Sequence, residues 1–341
     1  MGNVMLSIAT KIREIAGVNR ENIPYEILTS TEPLVLKGLV ADWPIVAAGK
    51  TSLKAATDYI RQFYSGATVT TFCAQKEAKG RLFYNQDFTG FDYDLVDANL
   101  HSVLDQIELQ ADQQEPLTFY VGSTVVDHFM PGFRPLNDIN IGEFNPMVSI
   151  WMCNQSRVAA HCDLPDNIAC SVVGRRRFTL FPPDQIDNLY MGPLDITPAG
   201  RPISVVDFHQ PDFEKFPKFK TAIANAMVAE LEPGDAIFIP SMWWHHVESL
   251  EAFNVLVNYW WKKTPAYMGT PANVLDHALM AIRNLPPEQK KIWQKQFEYY
   301  VFENTEESVA HIPTAARGTL GEINEELARK LRAKLINALN R

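Results

Sequence analysis

The stretch VAAHCDLPDNIACSVVGRRRFTLFPP, from Val158 to Pro183, decides how the rest of the chain is read. It opens with His161-Cys162-Asp163, an H-x-D placed just before an apolar run with strand character. Side chains two apart on a strand point to one face, so this imidazole and this carboxylate converge. They offer two of the three ligands of a facial triad. Two adjacent histidines, His245 and His246, follow the strand-like run DAIFIPSMWW and supply a candidate for the third. Two histidines, one carboxylate and open positions suit Fe(II) and oxygen chemistry.

A length of 341 residues allows a large buried core, as one big domain plus an appendage. Hydrophobic content of 46% and charged content of 21% are those of an ordinary globular protein. The formal charge of -9 and the pI near 5.4 argue against a phosphate-tracking face, so no nucleic-acid partner is expected. Cys73, Cys153, Cys162 and Cys170 show neither C-x-x-C spacing nor disulfide density, which points to a reduced, cytoplasmic compartment without structural zinc. The opening MGNVMLSIATKIREIAG, interrupted by Lys11 and Arg13, reads as an amphipathic helix and not as a signal peptide. No run reaches the length of a membrane span, so no membrane partner is expected.

Along the chain, strand character appears at Glu32 to Pro44 and Val69 to Ala74, and helical spacing at Ser52 to Tyr64 and Asn99 to Leu109. RLFYNQDFTGFDYDL reads as strand and turn, and Leu117 to Ser123 as a further strand. From Met147 short strands recur between turn residues: VSIWMCN, the run after Asp163, RRFTLFPP, VAELEPGDAIFIP and FNVLVNYWW. That spacing, with a turn at Pro233-Gly234-Asp235, predicts a β-sandwich or barrel of jelly-roll type. Between these strands lies a long insertion whose Phe208, Phe213, Phe216 and Phe219 are placed to anchor it to the barrel. After Pro286-Pro287, Trp293, Phe297, Tyr300 and Val301 fall on one helical stripe. Thr319 and Glu322 suggest a capping box before a second helix carrying Ile323, Leu327, Leu331 and Leu335.

An H-x-D alone is a weak signal, and its combination with GDAIFIPSMWWHH is far more specific. Together with GRRRFTLFPPDQ, VDFHQPDFEKFPKF, HHVESL and VNYW, these motifs resemble the cupin-like JmjC dioxygenases. The likeness is strongest to the subgroup containing the asparaginyl hydroxylase that inhibits hypoxia-inducible factor. It is close from about Val148 to Lys263, weaker in VLKGLVADWP, and only of pattern in the C-terminal helices. It implies a mainly β fold with flanking helices, a double-stranded β-helix of cupin type, and a C-terminal helical appendage. The corresponding division is an N-terminal α/β portion over 1–116, the barrel over 117–265, and a C-terminal dimerisation region over 266–341.

The resemblance further implies Fe(II), 2-oxoglutarate and O2. By position, His161, Asp163 and His245 match the iron ligands, while His246 turns to the opposite strand face. Arg176 stands where the family has a lysine for the distal carboxylate of 2-oxoglutarate, and an arginine can hold that group bidentately. Arg175 and Arg177 are then outward. Tyr120 matches a tyrosine that assists the same carboxylate, Asn167 and Asn258 match pocket amides, and Trp260 walls the pocket on the face of Asn258. Val158 departs from the family, replacing a threonine that contacts the cosubstrate. Taken singly, Tyr120, Asn167 and Asn258 are more often packed or internally bonded residues than functional ones, and Trp260 is equally at home in an ordinary core.

The implied reaction converts 2-oxoglutarate to succinate and CO2 while hydroxylating a C–H bond. A protein or peptide side chain is the expected substrate, with a small molecule on the same site as the alternative, since fold does not decide between them. No basic tract or reader segment accompanies the barrel, which argues against histone demethylation. A zinc or manganese cupin would draw on more histidines, and a non-catalytic binding module would lack a ligand. The subgroup's C-terminal helices form a homodimer, for which Leu327, Leu331 and Leu335 are the candidates here.

Overall fold

Short apolar runs separated by turn residues fold into fifteen strands across residues 6–340, the part of the chain that the computed structural model describes. In chain order these are β1 Thr10–Lys11, β2 Arg13–Ala16, β3 Leu34–Lys37, β4 Val69–Ala74, β5 Arg81–Leu82, β6 Tyr93–Ala98 and β7 Thr118–Val125. They continue as β8 Met147–Cys153, β9 Ser156–Cys162, β10 Asp166–Val173, β11 Arg176–Phe181, β12 Met227–Leu231, β13 Ala236–Ile239, β14 Trp244–Ser249 and β15 Asn254–Trp261. One sheet runs β1-β12-β11-β14-β9-β5, the other β2-β3-β13-β10-β15-β8-β7-β4-β6. The antiparallel strands β8 to β11 and β12 to β15 alternate between the two sheets, with β11 and β12 paired within the shorter one, which is the expected double-stranded β-helix of a mainly β protein with flanking helices.

Three apolar layers follow from strand alternation. Ile12, Val35, Ala169, Phe178, Leu180, Ile237, Ile239, Val247 and Leu256 pack between the sheets. A larger layer holds Trp43, Ile45, Val46, Ile60, Leu100, Leu104 and Ile107 against Ile150, Ile168, Val172, Phe238 and Val257 of the longer sheet. Helices Pro44–Thr51, Leu53–Arg61 and Leu100–Gln110 carry that layer. On the outside of the shorter sheet, Phe208 and Phe219 pack with Phe181 and Trp244, and Phe213 and Phe216 join them partly buried. The aromatic insertion is therefore fastened to the barrel wall.

The N-terminus corrects the sequence reading. Within the expected amphipathic helix, Thr10 and Lys11 pair in parallel with Met227 and Val228, and Arg13 to Ala16 pair with Leu34 to Lys37. Residues 1–5 of that stretch lie outside the described residues. Ladder bonds to two open sheet edges outweigh a modest helical pattern. The run from Glu32 is a strand only to Lys37; it then turns, and Pro44 starts a helix at a position where its missing N–H costs nothing.

Contacts divide the chain into Met1–Lys262 and Lys263–Arg341. The first 116 residues are woven into the barrel's own sheets, since β3 pairs with β13 and β4 with β7. The second unit holds helices Pro271–Ala281, Pro287–Phe297 and Glu325–Leu339. Thr319 and Glu322 do not form the expected capping box. Asn324 caps the last helix instead, accepting from Leu327 N at 2.9 Å, and the capping box belongs to Thr305 and Ser308.

The turn into β11 depends on Gly174, whose φ is +70°. A Cβ there would lie 2.6 Å from the carbonyl oxygen of Phe253 and strike the Asn254 amide. We expect Gly174→Ala to lose about 1–3 kcal/mol from backbone strain alone. A thermal unfolding midpoint unchanged from the parent would show that this turn tolerates a side chain.

Candidate active site

His245 on β14 stands directly opposite His161 on β9, their ring centroids 4.3 Å apart. Asp163 lies just past the end of β9, with its Oδ2 at 3.8 Å from His245 Nε2. One ligand atom from each of His161, Asp163 and His245 lies within 4.8 Å of the others, a cluster that can hold a metal ion. Each histidine faces a backbone carbonyl with Nδ1: His161 with Ala159 O at 2.9 Å, His245 with Trp243 O at 3.0 Å. Donation from Nδ1–H leaves the Nε2 lone pairs free for a metal, the arrangement by which outer partners fix a ligand's tautomer. Burial, followed by the neighbouring His161, lowers the His245 pKa to about 4, which keeps its imidazole neutral at pH 7.

The register carries a bulge beside this cluster. His161 pairs with His245, yet Val158 pairs with Val247, so β9 spends one residue more than β14. Such bulges re-aim side chains next to sites. Here Val158, Ala159 and His161 all reach the same pocket, while Ala160 packs on the outer layer.

That pocket has a volume of about 570 Å³ and lies between the two sheets. Its lining includes His161, Asp163, Asn167, Arg176, Tyr120, Asn258 and Trp260, so the residues singled out from the sequence meet in one cavity. Arg176 is only 2% exposed, and its nearest polar partner is the Cys153 sulfur at 3.7 Å from Nη2. Its Nε has no partner, and no carboxylate pairs with it among the described residues. A buried guanidinium without a counter-ion is expensive unless an anion completes it. Its neighbours differ: Arg175 pairs with Glu251 and Arg177 with Glu230, both toward the outside.

Tyr120 is 8% exposed, and burial raises its hydroxyl pKa, so it remains a proton donor. Asn258 donates to Asn167 Oδ1 at 2.9 Å, and its own Oδ1 lacks a partner. Val158 presents only methyl groups to the pocket, and Trp260 packs edge-on against Trp151 at 5.9 Å. Trp151, Phe72 and Arg201 also line the cavity and escaped the sequence reading. Alternation along VSIWMCN and VTTFCA was the available signal for the two aromatics. Arg201 sits in a loop, where no periodicity marks it.

His246 points the other way, as alternation requires. It stacks on Phe208 at 4.3 Å, and both ring nitrogens are buried without partners. Glu248, the next outward residue on β14, accepts a hydrogen bond from His209. Desolvation, reinforced by the nearby cationic groups of His209, Arg157 and Arg81 and opposed only by Glu248, lowers the His246 pKa to about 4.

Residues 20–267 match the family model described as a cupin-like domain. A tRNA wybutosine-synthesizing protein 5 of Gallus gallus is 26% identical over 313 residues, covering 84% of this chain and 93% of that protein. Its Mus musculus counterpart is 32% identical over 167 residues, 45% of this chain and 47% of the mouse protein. A lysine-specific demethylase, JMJ31, of Arabidopsis thaliana is 32% identical over 130 residues, 38% of this chain and 23% of its own length.

The histidine pKa values set an acid limit. A histidine near 6.5 unfolded and near 4 folded favours the folded state fully above pH 6.5 and loses that advantage as pH falls toward 4. Replacing His246 by Phe in metal-free protein should flatten the stability profile by up to about 1.4 kcal/mol per pH unit in that window. Urea midpoints between pH 7.5 and 4.5 check this, and parallel profiles for the two proteins would contradict it.

Proposed function

Because the chain belongs to the cupin-like domain family, we propose that it is an Fe(II)- and 2-oxoglutarate-dependent oxygenase that hydroxylates a C–H bond. One observation carries this reading: a His-Asp-His cluster shares a pocket with a buried guanidinium that has no counter-ion. The donor set fits Fe(II) with positions to spare. The unpaired Arg176 and the open Asn258 Oδ1 fit a small dicarboxylate. With O2, iron and the 2-oxo acid supply an oxidant for one C–H bond while the acid becomes succinate and CO2.

The chain's own residues do the rest. His161, Asp163 and His245 would hold the metal, within the pocket that Arg176 also lines. Arg176 binds the distal carboxylate of 2-oxoglutarate, with Tyr120 donating to the same group. Asn167 and Asn258, tied to one another, orient the acid, and Trp260 with Trp151 screens it from water. Val158 adds shape without a hydrogen bond, so the carboxylate rests on Arg176 and Tyr120.

For the substrate we favour a protein or peptide side chain, the activity of the asparaginyl hydroxylase that the ligand motifs resemble. The acidic chain and a pocket lined by only two cationic residues, Arg176 and Arg201, support a substrate that does not track phosphates. A base-sized aromatic group is the second reading. The aromatic walls Phe72, Trp151 and Trp260, and the name of the chicken relative across 93% of its length, favour it.

We further propose a homodimer through the C-terminal helices. Val309 is the only buried residue among those described beyond Lys262, while Ile292, Trp293, Val301, Phe302, Leu335, Ile336 and Leu339 are exposed. Apolar surface on that scale asks for a partner.

Three outcomes test these readings. Purified protein with Fe(II), ascorbate and 2-oxoglutarate should yield succinate, and His161→Ala or Asp163→Ala should bring the yield to background; full turnover in both variants would remove the assignment. Arg176→Ala should weaken 2-oxoglutarate binding by roughly 30-fold or more, from about 2–5 kcal/mol for an uncompensated buried charge partner. A chain shortened to end at Gly318 should halve its mass by light scattering, and an unchanged mass would reject the helical interface.

A further inference from the structure

Arg201 presents an unused cation to the same pocket. It lies in the segment between β11 and β12, and with Pro198 and Ile203 it lines one side of the cavity. Its guanidinium makes no hydrogen bond or ion pair among the described residues, and it is half-buried, unlike the deeply buried Arg176. It lines the same cavity as His161 and Asp163 at the end of β9. The cavity it lines is largely apolar, with Leu82, Val158, Ile203 and Val247 among its walls.

Charge accounting leaves this arginine over. On the function proposed above, the two charges of iron are matched by Asp163 and the metal-bound carboxylate of 2-oxoglutarate. Arg176 is matched by the distal carboxylate. Asp163 is the only carboxylate residue in the lining, and no carboxylate among the described residues forms an ion pair with Arg201. In a pocket of low polarity an unmatched cation is a strong selector, and the planar fork of arginine suits carboxylate and phosphate.

We propose that Arg201 determines specificity by binding an anionic substituent, a carboxylate or phosphate, on the group that is hydroxylated. One cation matches one such substituent. The aromatic walls Phe72, Trp151 and Trp260 fit a flat, apolar remainder, so the substrate inferred here is the second reading above, a base-sized group, in place of a protein side chain. The inference rests on the oxygenase reading, because 2-oxoglutarate must occupy Arg176 for Arg201 to remain free.

The test is calorimetric and uses no turnover. Full-length protein is loaded with Mn(II), a redox-inert stand-in for iron, and titrated first with 2-oxoglutarate. The loaded protein is then titrated with indole-3-acetate, with its neutral amide indole-3-acetamide, and with phenyl phosphate. We expect at least one acid to bind about ten-fold or more tightly than the amide, the order of a charged hydrogen bond. The tighter of the two acids identifies carboxylate or phosphate as the recognised group. Arg201→Ala should erase the preference, Arg201→Lys should keep part of it, and both should bind 2-oxoglutarate as the parent does. Wild-type protein that binds the amide as well as the acids, or binds none of the three, would overturn the proposal. So would an Arg201→Ala variant that keeps the preference or loses 2-oxoglutarate. Failure of the oxygenase reading shows separately, as absence of 2-oxoglutarate binding in the first titration of the parent protein; an acid preference that then persisted without the cosubstrate would overturn Arg201's proposed place as well, since Arg176 would be free to cause it.

Discussion

The site depends on the register of β14 between β9 and β11. His245 pairs with His161 on one side and Leu180 on the other, which places its imidazole in the pocket and sends His246 to the opposite layer. A slip by one residue would exchange the two histidines and bring Trp244 and His246 inward. Several contacts oppose that slip. Trp244 is fixed outside by a hydrogen bond from Nε1 to Pro183 O at 3.2 Å, His246 by Phe208, and Glu248 by His209. The aromatic insertion therefore supports the metal ligands from behind, although none of its phenylalanines touches them.

The two sheets facing the pocket keep polar groups that a purely structural core would avoid. Arg176 Nε, Asn258 Oδ1 and the indole N–H groups of Trp151 and Trp260 are buried without partners in the protein. Each costs stability when left unpaired. Surrounding layers of Trp43, Leu36, Ile45, Phe238 and Tyr259, essentially without exposure, hold the strands that carry them. Asp235 does similar work at the turn before β13, accepting from Gly38 N at 2.8 Å and Glu232 N at 3.0 Å. Stability gathered at this turn and in the apolar layers offsets an under-satisfied pocket, a division expected where polar groups wait for a ligand.

Much of this was legible in the sequence because strand alternation has a period of two. H-x-D, the paired histidines and the middle arginine of three each acquire a definite side once the strand is recognised, and the structure gives them those sides. The N-terminal strands were not legible, because Thr10 to Ala16 form β-structure only against distant partners at β12 and β3. Local pattern carries no trace of such pairing. The cap at Asn324 was missed for a simpler reason: a Thr-x-x-Glu pattern competed with a stronger capping residue five positions on. The bulge in β9 was also invisible, since it is a property of two strands together. Without it, Val158 and Ala159 could not share a face.

Depth separates the two arginines of the pocket, and depth imposes an order of arrival. Arg176 is almost wholly buried, whereas Arg201 is only half-buried and so more open to solvent. On the proposed function, the dicarboxylate that the more buried Arg176 would take has to be seated before a larger substrate covers it from the side of Arg201. A substrate seated there would cover the acid behind it, so that the spent acid would leave after the product. The spacing of two like charges along one cavity would thus make the molecule a sequential device, filled from the inside outward and emptied in reverse.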